Sequence, residues 1–439
     1  MEGSARKNRL HIDWMIIFAT IALVFIGLLT IYSTGSTHSG GKDVDREFYM
    51  QFVWFVVGIL LFFGTISISY NKYVEWSLYL YAGGLALLLI SLLFPPVKGI
   101  RAWINLGFFN IQPAELMKLF TIIALARFLN MLGDDIQDIR NFFITFFILV
   151  PPLGVIAIQP DFGTGLVFFA ICFAMLFIAG AKIGHILSLF LLGFLGAGIP
   201  MFVAYYKEIG DLSGWLISIL SNNAILIDIS IILGIISFVA FAIWFFSRVK
   251  PVLKFASAIV VIPIGLIIAA SLNSYLQPYQ RKRIVIFVDP EKDPWGAGYN
   301  IIQSKIAIGS GGFSGKGYMK GTQNALDYLP EKKTDFVYST LGEEWGFLGS
   351  LFLIVLYFIF LYRGVMIAYH AKDMTGSLIA TGIVAMFAFH IFINIGMATG
   401  MMPVTGLPLP FVSYGGSSLM TNLIAVGLLF NIEMRRYVH

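Results

Sequence analysis

The stretch DPEKDPWGAGYN, residues 289–300, sets two aspartates, a glutamate and a lysine within five positions of a chain that is otherwise apolar. Carboxylates beside cations suit two kinds of chemistry. An acid can take the proton from an attacking hydroxyl as general base. A lysine can neutralise a phosphate leaving group as a point charge. The same segment continues through Lys305, Lys316, Lys320, Asp327, Glu331, Lys332, Lys333, Asp335, Glu343 and Glu344. A solvated loop carrying charge for solubility would read the same way.

Three further groups stand out. In NIQPAELMKLF (110–120), Glu115 and Lys118 are spaced i, i+3 and share one helix face. Ionisable pairs inside a membrane are functional candidates, although the two residues could simply neutralise each other. In QPDFGTG (159–165), Asp161 is placed to cap the helix that follows. His390 and Asn394 lie i, i+4 ahead of a Pro- and Gly-rich loop that ends in SYGGSS, where His390 reads as a hydrogen-bonded packing residue. Gly309, Gly311, Gly312, Gly315 and Gly317 lie near lysines, but their spacing fails the phosphate-loop pattern and predicts tight turns instead. The single cysteine, Cys172, sits in an apolar run, which excludes an internal disulfide and cysteine metal clusters. No metal-binding His-x-x-x-His and no nucleophile elbow is present.

These groups must be held by elements that live in lipid. The chain has 439 residues, 58% hydrophobic and 12% charged, with 41 Phe and 8 Trp. Its mean hydropathy is +0.84. A net charge of +5 in such a chain suits cationic loops beside lipid headgroups rather than nucleic acid. Hydropathy predicts an all-α, polytopic membrane protein with about twelve spans, near 14–33, 50–68, 76–94, 114–130, 141–158, 163–181, 184–205, 223–247, 252–272, 347–369, 376–398 and 412–433. Lys and Arg gather at the N-terminus, in the even connections and in the tail, which places both termini in the cytoplasm. The odd connections then face out, including the loop 273–346, which is too long for a simple connector. Two outer segments, VKGIRAW (97–103) and YQRKRIVIF (279–287), break the charge rule; an anionic ligand at the outer leaflet would account for them, and so would long or late loops that escape the rule.

The segment DPEKDPWGAGYNIIQSKIAIGSGGFSGKG, followed by LDYLPEKKTDFVYSTLGEEWGFLGS, resembles the SEDS family (shape, elongation, division and sporulation), most closely its RodA branch. RAWINLGFFNIQPAELMKL, QPDFGT and GLPLPFVSYGGSS match patterns of the same family in the same order, so the resemblance covers about 10–435. It implies a single integral membrane domain over 1–439 that polymerises lipid II into glycan strands at the outer face of the bacterial cytoplasmic membrane, during elongation and rod-shape maintenance. The implied partner is a class B penicillin-binding protein that supplies the transpeptidase. The family's essential loop acid falls on Asp293 rather than Asp289, and its buried pair falls on Glu115 and Lys118. The family usually has ten spans, so 207–250 looks like an insertion that adds a pair and keeps the catalytic loop outside.

The reaction so implied is inverting glycosyl transfer, in which a base deprotonates the acceptor hydroxyl. Asp293 is the expected base. Arg101, Lys118, Lys305 and Lys316 are expected to face pyrophosphate, Trp103 to pack on sugar or lipid, and Glu115 to orient Lys118. No organic cofactor is expected; a divalent cation could share the charge neutralisation. A lipid II flippase is the alternative of a different class, and a non-catalytic scaffold is a third. Carboxylates gathered on one outer face and the lack of an internal repeat disfavour the flippase.

Overall fold

In lipid, a backbone can satisfy its own polar groups by coiling, so long apolar runs become helices. The computed structural model of the chain describes residues 13–36, 46–97, 100–105, 107, 110–209, 214–247, 250–275, 286, 289–296, 298–326 and 328–436. Among these, nine helices are long and apolar enough to cross a membrane, and three shorter apolar helices join them (Ser77–Ser91, Phe162–Ile178 and Ile259–Ser274). Each of the twelve expected spans falls on one of these helices. Lys98 and the cations of 281–283, which break the charge rule, lie outside the described residues.

The chain packs as two compact units, Met1–Ala181 with Gln303–His439, and Lys182–Ile302. The first holds α1 (Trp14–Ser36), α2 (Arg46–Ser67), α3 (Tyr70–Glu75), α4 (Ser77–Ser91), α5 (Pro113–Leu132), α6 (Ile139–Phe146), α7 (Val150–Ile158) and α8 (Phe162–Ile178). A short hairpin pairs β1 (Ile104–Asn105) with β2 (Asn110–Ile111) just before α5. The second unit holds α9 (Ile183–Gly193), a π-turn at Phe194–Gly198, α10 (Ile199–Ile209), α11 (Trp215–Ser221), α12 (Asn223–Ser247) and α13 (Lys250–Tyr275). Helix α14 (Tyr299–Gly311) returns the chain to the first unit, which ends with α15 (Thr322–Ala325), α16 (Val337–Tyr369), α17 (Met374–Thr399) and α18 (Gly416–Met434).

In the first unit α17 and α18 are the most buried long helices. Helix α17 packs on α5, α8 and α16, while α2 lies along α18. Because lipid is as apolar as a side chain, association here depends on packing and internal hydrogen bonds. Phe360, Phe387 and Phe411 form one such cluster, with ring centroids 5.0–5.4 Å apart. Buried Asn431 forms another tie. Its amide donates to the Thr65 carbonyl at 2.8 Å, and its Oδ1 accepts from the Tyr70 amide at 3.1 Å, locking the α2–α3 corner to α18. In the second unit α12 packs along α13, around buried Leu226, Leu266 and Ala270. Ser230 donates to the Pro263 carbonyl at 3.0 Å, beside the proline inside α13.

The glycine-rich segment has a structural use. Helix α16 breaks at Gly346, whose φ is 65°. The break leaves amides and carbonyls without helical partners, which lipid cannot satisfy. Residues 312–317 supply the missing partners. Phe347 and Leu348 amides donate to the carbonyls of Gly312 and Phe313, at 2.9 and 3.1 Å, while Lys316 and Gly317 amides donate to Glu343 and Glu344 carbonyls at 3.0 Å. A Cβ on Gly346 would fall 2.2 Å from the Gly315 nitrogen. Gly346→Ala should therefore lower the thermal midpoint of the purified protein in detergent, through a loss of at least about 1–3 kcal/mol from left-handed strain alone; an unchanged midpoint would contradict this tight docking.

Candidate active site

Within the first unit, the N-terminal ends of α2, α5, α8 and α18 converge on a cleft of about 690 Å³. Each helix brings polar residues for a local reason. Glu47 and Glu115 sit in the first turns of α2 and α5, where a carboxylate complements the helix dipole. Asp161 caps α8, accepting from the Thr164 amide at 3.2 Å and the Thr164 hydroxyl at 2.9 Å. It also accepts from the Gln112 amide group at 3.1 Å, so its capping and its place on the cleft wall coexist. Gly415, Gly416, Ser417 and Ser418, from the expected SYGGSS start, line the cleft at the head of α18.

Glu115 faces the cleft, and Lys118 stands behind it, 1% exposed, with its Nζ 2.7 Å from Glu115 Oε1. The same ammonium lies 2.9 Å from His390 Nε2. An ammonium only donates, so His390 Nε2 accepts, and its Nδ1–H donates to the Pro408 carbonyl at 3.3 Å. Four residues on, Asn394 donates to the carbonyls of Asp335 and Leu407, at 3.0 and 2.7 Å. One face of α17 thus ties the buried ion pair to two loops of the cleft wall.

The other expected residues are placed as follows. Trp103 lines the cleft. Arg101 lies between two lining residues, Ile100 and Ala102, but its own side chain is exposed and outside the lining. Lys305 is exposed on α14, and neither it nor Lys316 lines the cleft. Lys316 Nζ sits 2.7 Å from buried Glu343 and donates to Thr322 at 2.7 Å. Glu343 also accepts from the amides of Thr322 and Gln323, at 2.8 and 3.0 Å, so the pair fastens the loop onto α16.

Asp293 belongs to the second unit and sits, partly buried, at the end of a 3-10 turn (Pro290–Lys292). Its carbonyl accepts from the amides of Gly296 and Gly298, both at 3.2 Å. Trp295 is 90% exposed and Glu291 is exposed. The turn has no room for a side chain at Gly298, where a Cβ would lie 2.1 Å from the Pro290 carbonyl oxygen. On the expectation that Asp293 is the base, Gly298→Ala should displace it and reduce lipid II polymerisation at least about tenfold, as small misplacements at reacting groups do. Activities are compared at equal folded amounts, and full activity of the folded variant would count against the turn's role.

Several cleft residues escaped the sequence reading. Arg46, Glu47, Trp54 and Tyr414 all line it. Lys333 pairs with Glu47 at 2.6 Å. Charges at the head of an apolar run on an odd connection, the same signal that marked Glu115, could have found Arg46 and Glu47. Among the described residues no group of three or more His, Cys, Asp or Glu is gathered as for a metal ion.

Fold and cleft together define a multi-pass helical membrane protein with a polar, carboxylate-bearing cleft at one set of helix ends. The family model FtsW/RodA/SpoVE, described as cell cycle protein, matches residues 13–216 and 215–438, and the chain belongs to that family. It is 36% identical to the peptidoglycan glycosyltransferase RodA of Treponema pallidum, over 97% of this chain and 98% of that one. It is 34% identical to stage V sporulation protein E of Bacillus subtilis, over 96% of each, and 31% identical to the peptidoglycan glycosyltransferase MrdB of Escherichia coli, over 98% and 95%. Among solved structures, it is similar to a chain from a peptidoglycan synthase complex described as coordinating polymerisation and crosslinking, with a TM-score of 0.68, 28% identity and coverage of 98% and 100%. It is also similar to RodA of Thermus thermophilus, with a TM-score of 0.61, 25% identity and the same coverage.

Proposed function

We propose that this protein is a peptidoglycan glycosyltransferase that polymerises lipid II during cell elongation. The observation that carries the reading is the end-to-end similarity to RodA of Treponema pallidum, over 97% of this chain. An acceptor sugar hydroxyl attacks the anomeric carbon of the polyprenyl-pyrophosphate donor. The new glycosidic C–O bond forms as the bond to pyrophosphate breaks, the anomeric centre inverts, and the hydroxyl proton passes to the Asp293 carboxylate. The leaving group is already acidic and needs charge neutralisation rather than a proton. Arg101, or a divalent cation held by the phosphates, would supply it. Glu115 orients Lys118, and His390 holds that lysine in place.

The excess of Lys and Arg in the even connections supports cytoplasmic termini and an outward loop 273–346. The partner is a class B penicillin-binding protein, a reading supported by the similarity to a chain of a peptidoglycan synthase complex. The segment 207–250 is an added pair of spans with its neighbour; the two family matches meet within it, at 215–216. Labelled lipid II distinguishes enzyme from transporter. Purified protein with its partner should make glycan strands in detergent, where there is no membrane to cross. Translocation of lipid II in vesicles without any strand formation would instead support the flippase.

A further inference from the structure

At the opposite end of α18 from the cleft, about 28 Å along its 19 residues, the first unit forms a second polar cavity. It encloses about 200 Å³ between the C-terminal ends of α16 and α18, lined by Tyr362, Arg363, Met366, His370, Glu433 and Arg436 among others. That is below the roughly 300–1,000 Å³ of a site for a drug-sized ligand, so it suits a small charged group and not a nucleotide. On the proposed topology these helix ends lie at the cytoplasmic leaflet.

The lining carries both signs of charge. Glu433 sits in the last turn of α18, where the helix dipole disfavours a carboxylate, and it is 4% exposed. Its distance to Arg436 Nη1 is 3.9 Å, too long for a hydrogen bond. Natural chains break such local rules mainly at functional sites. An ammonium in the cavity would meet this carboxylate together with the partial negative charge of the two helix ends. Arg363 is set for the opposite charge. Asp13 caps α1 through the Met15 and Ile16 amides, at 3.1 and 3.3 Å, and engages Arg363 Nε at 2.7 Å and Nη2 at 2.6 Å. This fixes the guanidinium plane through two of its three nitrogens, and a guanidinium fork matches phosphate oxygens. Residues 1–12 and 437–439, next to these ends in sequence, lie outside the described residues, and both signs of charge are present without them.

Tyr362 joins the cavity to an exposed apolar stripe. On α16, Phe358, Tyr362 and Val365 are exposed at helical spacing, and the Phe358 and Tyr362 rings stack at 6.3 Å and 15°. Tyrosines at the head of an apolar helix face mark the membrane–water interface. Acyl chains can lie along this stripe, which a soluble phosphate does not need.

We propose that this cavity is a headgroup site for a zwitterionic phospholipid with a primary ammonium, of the phosphatidylethanolamine class. Arg363 and Arg436 take the phosphate, Glu433 takes the ammonium, and the acyl chains run along Phe358 and Val365. The site shares no residue with the cleft, so it stands or falls apart from the glycosyltransferase reading.

Native mass spectrometry of the purified full chain in detergent tests this, with phosphatidylethanolamine, phosphatidylglycerol and phosphatidylcholine of matched acyl chains as probes. Phosphatidylethanolamine should be retained at least about tenfold more tightly than the other two, because trimethylated ammonium and glycerol offer Glu433 no charged N–H donor. Glu433→Gln should erase that preference and leave phosphatidylglycerol binding no weaker, a change of selectivity that a merely structural role would not produce. The wild-type series needs no variant to fold. Equal retention of the three lipids would overturn the proposal. So would a preference that survives Glu433→Gln, or free phosphoethanolamine binding as tightly as the lipid.

Discussion

Asp293→Asn is expected to lower lipid II polymerisation by about 10²–10⁴-fold, the usual contribution of a positioned general base. Asparagine keeps the shape of the side chain but cannot take the proton. The turn keeps its backbone ties in this variant, with the Asp293 carbonyl accepting from Gly296 and Gly298. Yield, thermal midpoint and binding to the partner should therefore match wild type. Asp289→Asn is the control. Its carbonyl closes the same turn, through the Lys292 amide at 3.3 Å, and the proposed chemistry gives its carboxylate no part. Activity of that variant should stay within about threefold of wild type, the scale of a surface substitution of about 0.5 kcal/mol. Equal losses in the two variants would mean that the loop acids act through their charge on the loop and not through a proton.

The second large effect is on stability. Lys118→Met should destabilise the protein by about 3–5 kcal/mol, because it leaves Glu115, 2% exposed, as an uncompensated buried charge. It also leaves His390 Nε2 without the donor it accepts from. The double variant Glu115→Gln with Lys118→Met removes both charges and should recover most of the loss, since a buried pair is often replaceable by neutral residues of similar volume. Thermal unfolding in detergent measures both. A single variant as stable as wild type would show that the pair is not the tie it resembles. A double variant that folds yet polymerises poorly would assign the pair a part in the site beyond packing.

Much of this architecture is legible in the sequence because lipid imposes a simple rule. Runs such as 14–33 must become helices, and each expected span did. Local spacing also carries: Glu115 and Lys118 are three residues apart, and Asp161 caps the helix it precedes. What the sequence hides is long-range closure. His390 lies 272 residues from Lys118, and Glu343 lies 27 from Lys316, so neither partner follows from a pattern. The break at Gly346 falls between two apolar stretches that read as one end of a loop and the start of a span. Its meaning emerges only when residues 312–317 are seen to fill it. A lysine that reads as part of an outer loop can also meet a buried acid of its own chain, as Lys316 meets Glu343, a contact that no spacing rule announces.

The most direct test of the account is polymerisation of labelled lipid II by the purified chain, together with the class B penicillin-binding protein proposed as its partner, in detergent, wild type against Asp293→Asn. The account predicts long β-linked glycan strands from the wild type and essentially none from the variant at equal, folded amounts. Strands of equal yield from both, or none from either while the partner is bound, would contradict it.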